Sequence, residues 1–249
     1  MSKMLSDLPG PSLATTLTED SIVVLPVGSV EHHGPHLPLS TDLIMADELS
    51  QRIVAASPQD AWLLPPLAFT KSDEHDWAPG TVWIGWETLM RTVVEIGRSV
   101  ANTPARTLVF YNGHGGNIAL LQVALREVRR LTGLRTFLMN ASIPAGDTEN
   151  GFGIHGGHGE TSMIMALRPA LVDLAGVERW VPDHLAELEH VRFNGGSVAF
   201  GWTSDDFGPS GVIGDPTGAN AADGEALIRA SVDSGVAALD EIARFRHRG

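Results

Sequence analysis

Short apolar runs alternate with segments of helical period through the first 140 residues, and this alternation restricts the fold more than any other feature of the sequence. Residues 22–27, 62–69, 107–111 and 135–140 read as strands, each apolar and bounded by turn-forming residues. Between them, apolar residues recur at helical spacing over 42–56, 86–101 and 117–131, with Ser40 or Thr41 placed to cap the first of these helices. Strands that alternate with helices in this way form a mainly parallel sheet covered by helices. Glycines and prolines are dispersed rather than gathered in a linker, and no internal repeat is visible, so residues 1–249 are expected to form a single α/β domain. In such sheets, ligands bind beyond the carboxyl ends of the strands.

Charge and composition remove several classes of function. A formal net charge of −13 disfavours nucleic acid and anionic membrane as partners, because both need a basic surface. The absence of cysteine rules out a disulfide, a thiolate nucleophile and a sulfur-ligated metal. A metal site in this chain must use histidine, carboxylate and water. The N-terminal MSKMLSDLPGPS has no apolar signal core, and no run is long enough to span a bilayer, which makes the cytoplasm the expected location.

Histidine is concentrated where the strand-end rule would place a site. Of the ten histidines, six lie in three segments: His32, His33 and His36 in VEHHGPHLPLSTD, His114 in YNGHGGN, and His155 and His158 in IHGGHGETS. His75 lies in SDEHDWAPGT, while His184, His190 and His247 read as surface residues. Glu31 and His33 are two apart, so an extended segment points them the same way and His32 oppositely, which favours His33 as a ligand. Asp42 can return to the same place across the 34–40 loop and bridge two cations. Taken singly, Asp42 and Glu160 read as helix-start carboxylates facing the macrodipole, and His114 as a loop histidine. In combination, three clusters of histidine, glycine and acid at strand ends point to metal binding. Glu31, Asp42 and Glu160 with two divalent cations and one hydroxide sum to zero charge, and such a pair of ions activates water for attack on a carbonyl. His155 is the candidate general acid for the leaving nitrogen.

At these positions the sequence resembles the creatininase (creatinine amidohydrolase) family, through PVGSVEHHGPHLPLSTD, SDEHDWAPGT, YNGHGGN, HGGHGETS and GVIGDPTGANAADGE in that order. The resemblance implies a three-layer α/β/α sandwich and a metal-dependent amidohydrolase acting on an amide-like, possibly cyclic, C–N bond of a small molecule. It implies Glu31, His33, Asp42, His114 and Glu160 as ligands of two divalent ions (zinc, manganese or iron), with Asp42 the bridge. His155, with Glu160 beside it, matches the catalytic acid/base position, and Ser72, Glu74 and His75 fall where members line the substrate pocket, although Glu74 and His75 read equally as residues that hold the loop. A homo-oligomer, commonly a hexamer, is also implied.

The chain departs from creatininases proper at Gly115 and Gly116, where those carry an aromatic residue and a glutamate, and at Ile154, where they carry a glutamate. This points to a substrate other than creatinine, since NGHGGN is the form of members that act as a deformylase or a short-peptide hydrolase. Gly115 is therefore expected to border the substrate. Trp202 and Phe207, or Trp77, Trp83 and Trp86, offer stacking surfaces or else fill the core or a subunit interface. Asp205 and Asp206 are expected either to face a substrate cation or to be ordinary loop acids. The alternative from another class is a non-catalytic binding protein that keeps the fold.

Overall fold

A computed structural model describes residues 3–193 and 196–247; the extreme ends of the expected 1–249 unit lie outside them. Four parallel strands form the sheet, β1 (Ile22–Val27), β2 (Ala61–Leu63), β3 (Thr107–Asn112) and β4 (Arg135–Asn140), in the order β2-β1-β3-β4. The helices are the short α1 (Leu13–Thr16), then α2 (Thr41–Ala56), α3 (Trp86–Ala101), α4 (Ile118–Thr132), α5 (His158–Leu167) and α6 (Ala221–Arg244).

Every residue of β1 and β3 is buried, as strands covered on both faces must be. Their side chains alternate between two cores. Val23, Leu25, Val27, Leu108 and Phe110 pack with Leu89 and Val93 of α3 and Leu121 and Val128 of α4. Ile22, Val24, Val109 and Tyr111 pack on the opposite face with Met45 and Leu49 of α2, Ile164 of α5 and Leu239 of α6. The result is the expected α/β/α sandwich. Truncating a fully buried side chain such as Leu25 to alanine costs about 2–5 kcal/mol.

Two local expectations need correction. The second strand is not 62–69 but Ala61–Leu63. Leu64 and Leu67 still donate to Val24 and Pro26 of β1, but Pro65 and Pro66 between them have no amide hydrogen, so the ladder breaks. Neither Ser40 nor Thr41 caps α2: Ser40 makes no side-chain cap, and Thr41 Oγ1 donates backwards to the Pro38 carbonyl at 2.8 Å. Helix α6, the longest among the described residues, has no counterpart in the helices expected from sequence, because its small residues hide its period. A Cβ on Gly224 would lie 1.9 Å from the Ser162 carbonyl oxygen, so this glycine lets α6 lie directly on α5.

Two further glycines position the functional end of the sheet. Gly28 and Gly113 follow β1 and β3, which are paired as far as Val27 and Asn112. A Cβ on Gly28 would lie 2.5 Å from Leu43 Cα, and one on Gly113 would lie 2.7 Å from the Asp42 carbonyl oxygen. Because both lack side chains, the first turn of α2 seats directly on the two strand ends and brings Asp42 with it.

Candidate metal centre

Six residues expected from the sequence converge beyond the carboxyl ends of β1 and β3. Glu31 and His33 come from the loop after β1, Asp42 from the first turn of α2, His114 from the turn after β3, and His155 and Glu160 from the start of α5 and the bridge before it. Glu31 and His33 are fully buried, and Glu160 is the least buried of the six, at 9% exposure. Asp42 lies between two imidazoles: its Oδ1 is 3.2 Å from His33 Nε2 and its Oδ2 is 3.0 Å from His114 Nδ1. His33 Nε2 is also 3.7 Å from Glu160 Oε2, and His114 Nδ1 is 3.2 Å from Glu31 Oε2. His155 Nδ1 lies 3.6 Å from Glu31 Oε1.

The histidines share one polarity. A backbone carbonyl can only accept, so the ring nitrogen that faces it must carry the proton. His33 Nδ1 faces the Glu31 carbonyl at 3.2 Å, His114 Nε2 the Lys71 carbonyl at 2.9 Å, and His155 Nε2 the His32 carbonyl at 2.6 Å. In each ring the other nitrogen points at the carboxylates, where it can carry a second proton or give its lone pair to a cation. This is the arrangement by which proteins present histidine to a metal ion.

The electrostatics agree with that chemistry. Among the described residues, no lysine or arginine pairs with Glu31, Asp42 or Glu160. Burial pushes the Glu31 and Asp42 carboxyls up, but the neighbouring histidines outweigh it and leave both below the usual carboxylate range. Burial pulls the His33 imidazolium down, and Asp42, Glu160 and Glu31 reverse that and raise it to about 10. His114 is likewise driven up, burial being outweighed by Glu31 and Asp42. Glu160 is raised to about 7 by burial, while burial and then His75 and His33 lower His155. The cluster thus requires positive charge, from protons on its histidines or from cations. Glu31 Oε1, His33 Nε2 and Asp42 Oδ2 are buried without a hydrogen-bond partner, and three sets of donors each lie within 4.8 Å of one another: Glu31, Asp42 and His114; His33, Asp42 and Glu160; Glu31, His33 and His155. The residues fit a divalent metal ion. His155, which the sequence reading kept out of the ligand set, belongs to one of these groups.

The remaining site expectations fall around the centre. Ser72 is fully buried and donates its hydroxyl to Glu31 Oε2, while His75 Nε2 lies 3.6 Å from Glu31 Oε1. Glu74 pairs with Lys71 Nζ at 2.8 Å, and its Oε1 lies 3.4 Å from His114 Nε2; burial pushes its carboxyl up, but His114 and Lys71 hold it down at about 2. Glu74, His75, Gly115 and Trp202 border a cleft of about 650 Å³ that opens from the centre, with Ile118, Ile143 and Phe193 among its apolar walls. Phe207 packs behind Phe193 at 5.1 Å. Trp77 donates to Ser204, and Trp83 and Trp86 are exposed at 41% and 62%, away from the cleft. Asp206 accepts from the Thr203 amide as a local cap.

Sequence reasoning missed Glu149. This buried carboxylate on the cleft wall accepts from the amides of Gly146, His158 and Asp215 and ties down the segment that carries His155 and Glu160. Its signal was a ring of glycines: Cβ atoms on Gly153, Gly157 and Gly214 would come within 2.1, 2.1 and 2.7 Å of the carboxylate.

The comparisons with known proteins agree with this architecture. The creatininase (creatinine amidohydrolase) family model matches residues 6–239. The mycofactocin precursor peptide peptidase of Mycolicibacterium smegmatis is 38% identical over 231 residues, covering 90% of this chain and 85% of that one. Creatinine amidohydrolase of Pseudomonas putida is 33% identical over 183 residues, 62% and 67% of the two chains. A solved creatininase described as its Mn form superposes with a TM-score of 0.74 at 25% identity, covering 97% of this chain and 98% of that one. With its motifs, fold and donor cluster all in place, the chain belongs to the creatininase family of amidohydrolases, enzymes that hydrolyse carbon–nitrogen bonds.

Proposed function

We propose that the protein hydrolyses an amide-like bond, in a small molecule or near the end of a short peptide, at a centre of two divalent cations. Glu31, Asp42 and His114 would hold one ion and His33, Asp42 and Glu160 the other. The observation that carries this reading is the position of Asp42, whose two oxygens face the inward nitrogens of two different histidines. Zinc, manganese or iron suits such oxygen and nitrogen donors, and the Mn form of the solved relative makes manganese a reasonable first choice.

When bound, divalent cations supply Lewis acidity and a nucleophilic water at neutral pH. The chain's own residues supply proton transfer and position. His155, with Nε2–H given to the His32 carbonyl, presents a bare Nδ1 that takes the proton released by the attacking water and passes it to the leaving nitrogen. Ser72 fixes the rotation of Glu31 by donating to Oε2. Gly115, with nothing within 4 Å of where a side chain would stand, leaves the mouth of the cleft open, and Phe193 and Trp202 offer a wall for an apolar or planar group.

The peptide form of the reading is favoured by the peptidase relatives that match most of this chain. A panel of lactams, formamides and C-terminally blocked dipeptides, assayed with metal-loaded protein, decides between the forms. Turnover of none of them, in protein that carries metal, would favour a non-catalytic relic. Assembly is part of the proposal. Exposed Phe69, Val82, Trp83 and Trp86 sit on two segments joined by the Ile84 to Thr70 backbone hydrogen bond, and form the apolar face proposed to meet another copy of the chain. Light scattering that gives the monomer mass would reject it.

A further inference from the structure

Glu74 sits at the back of the centre with a role that neither substrate binding nor the proposed ligand set accounts for. Its carboxylate is held on one side by the Lys71 ammonium, 2.8 Å from Oε2, and on the other faces His114 Nε2 at 3.4 Å. The same Nε2 donates to the Lys71 carbonyl at 2.9 Å. Both groups around this nitrogen are acceptors, so they fix a proton on Nε2 and leave Nδ1, which faces Glu31 and Asp42, as the nitrogen a cation can take. The space that Glu74 occupies exists because residue 116 has no side chain. A Cβ on Gly116 would stand 1.9 Å from Glu74 Oε1 and 2.5 Å from His114 Nε2.

We infer that Glu74 is a positioning residue of the metal centre: with the Lys71 carbonyl it fixes the tautomer and ring direction of His114, and Gly116 is the vacancy that admits it. The inference rests on the metal reading above. Carboxylates that accept from the outer nitrogen of a ligating histidine orient the ring and raise its basicity, and removing them typically weakens metal binding about 10–100-fold. Glu74 would therefore act on the metal through His114 and leave substrate affinity alone, although it borders the cleft.

The test uses the full chain stripped of metal, with zinc affinity measured by competition against a chromophoric chelator. Alongside it, kcat and KM are measured at saturating zinc on an amide that the wild type hydrolyses. Glu74→Ala should weaken zinc binding about 10–100-fold with KM unchanged. Glu74→Gln, whose amide oxygen can still accept from Nε2, should recover most of that affinity. Gly116→Ala, which displaces the carboxylate without removing it, should weaken binding as Glu74→Ala does, and stands in for that variant if it fails to fold. Wild-type zinc affinity in Glu74→Ala together with a raised KM would overturn the inference and make Glu74 a substrate contact. A wild-type protein that takes up no zinc, manganese or iron would instead sink the metal reading itself, an outcome distinct from a loaded wild type and an equally loaded variant.

Discussion

The two halves of the centre share Asp42 but are not built alike. On the side of Glu31 and His114, Ser72 grips one carboxylate oxygen, and the Lys71 carbonyl and Glu74 stand behind the imidazole. On the side of His33 and Glu160, the imidazole leans on a single carbonyl, that of Glu31, and Glu160 accepts only from the Gly156 amide at 2.6 Å. Glu160 is also the most solvent-accessible of the proposed ligands. Donors held from behind lose less freedom when they bind an ion, so the first half should bind tightly and the second exchange.

The severest test removes what both halves share. Asp42→Ala should lose both ions and all measurable turnover, and elemental analysis that still finds two ions per chain would dissolve the comparison along with the bridge. Next in size, Glu160→Gln should leave about one ion per chain with little activity, while His114→Ala should disturb both sites, since its half anchors the bridge. Equal residual metal in the two variants would show that the halves are equivalent. Graded chelation of the wild type should release the ions in two steps, affinities differing by tenfold or more, about 1.4 kcal/mol, with the His33 side emptied first. A single step would remove the asymmetry. Smallest is the effect of a methyl group. Gly113→Ala should cost about 1–3 kcal/mol in unfolding free energy and lower metal content, because its Cβ meets the Asp42 carbonyl, whereas Gly115→Ala meets nothing and should leave metal content unchanged.

Much of the fold and the inner ring of the site can be read from the sequence, because both are written locally. The apolar run at Ile22–Val27 and the pairing of histidine with glycine after β1 and β3 are patterns visible over a few residues. What escaped depends on contacts across the fold. Pro65 and Pro66 cut β2 short because neither has an amide hydrogen to continue the ladder, so β1 takes its next bond from Leu67. The period of α6 is blurred by Gly224, Ser231 and Gly235, small residues chosen by the surfaces they touch. Glu149 looks like an ordinary loop residue until the glycines around it are in place, and the contacts of Ser72 with Glu31 and of Glu74 with His114 are not visible in the motif that named those residues. The direction in which His155 presents its ring is likewise set from afar, by the His32 carbonyl, a neighbour 123 positions away.

The seating of α2 on Gly28 and Gly113 reaches beyond the site. Donors from stretches more than eighty residues apart meet only when Val27 stands opposite Asn112, and a slip of one residue between those strands would carry Glu31 away from His114. Metal uptake is therefore a readout of strand alignment: a chain with its central pair misaligned has no place to put an ion, and an ion, once bound, locks the correct alignment against slippage.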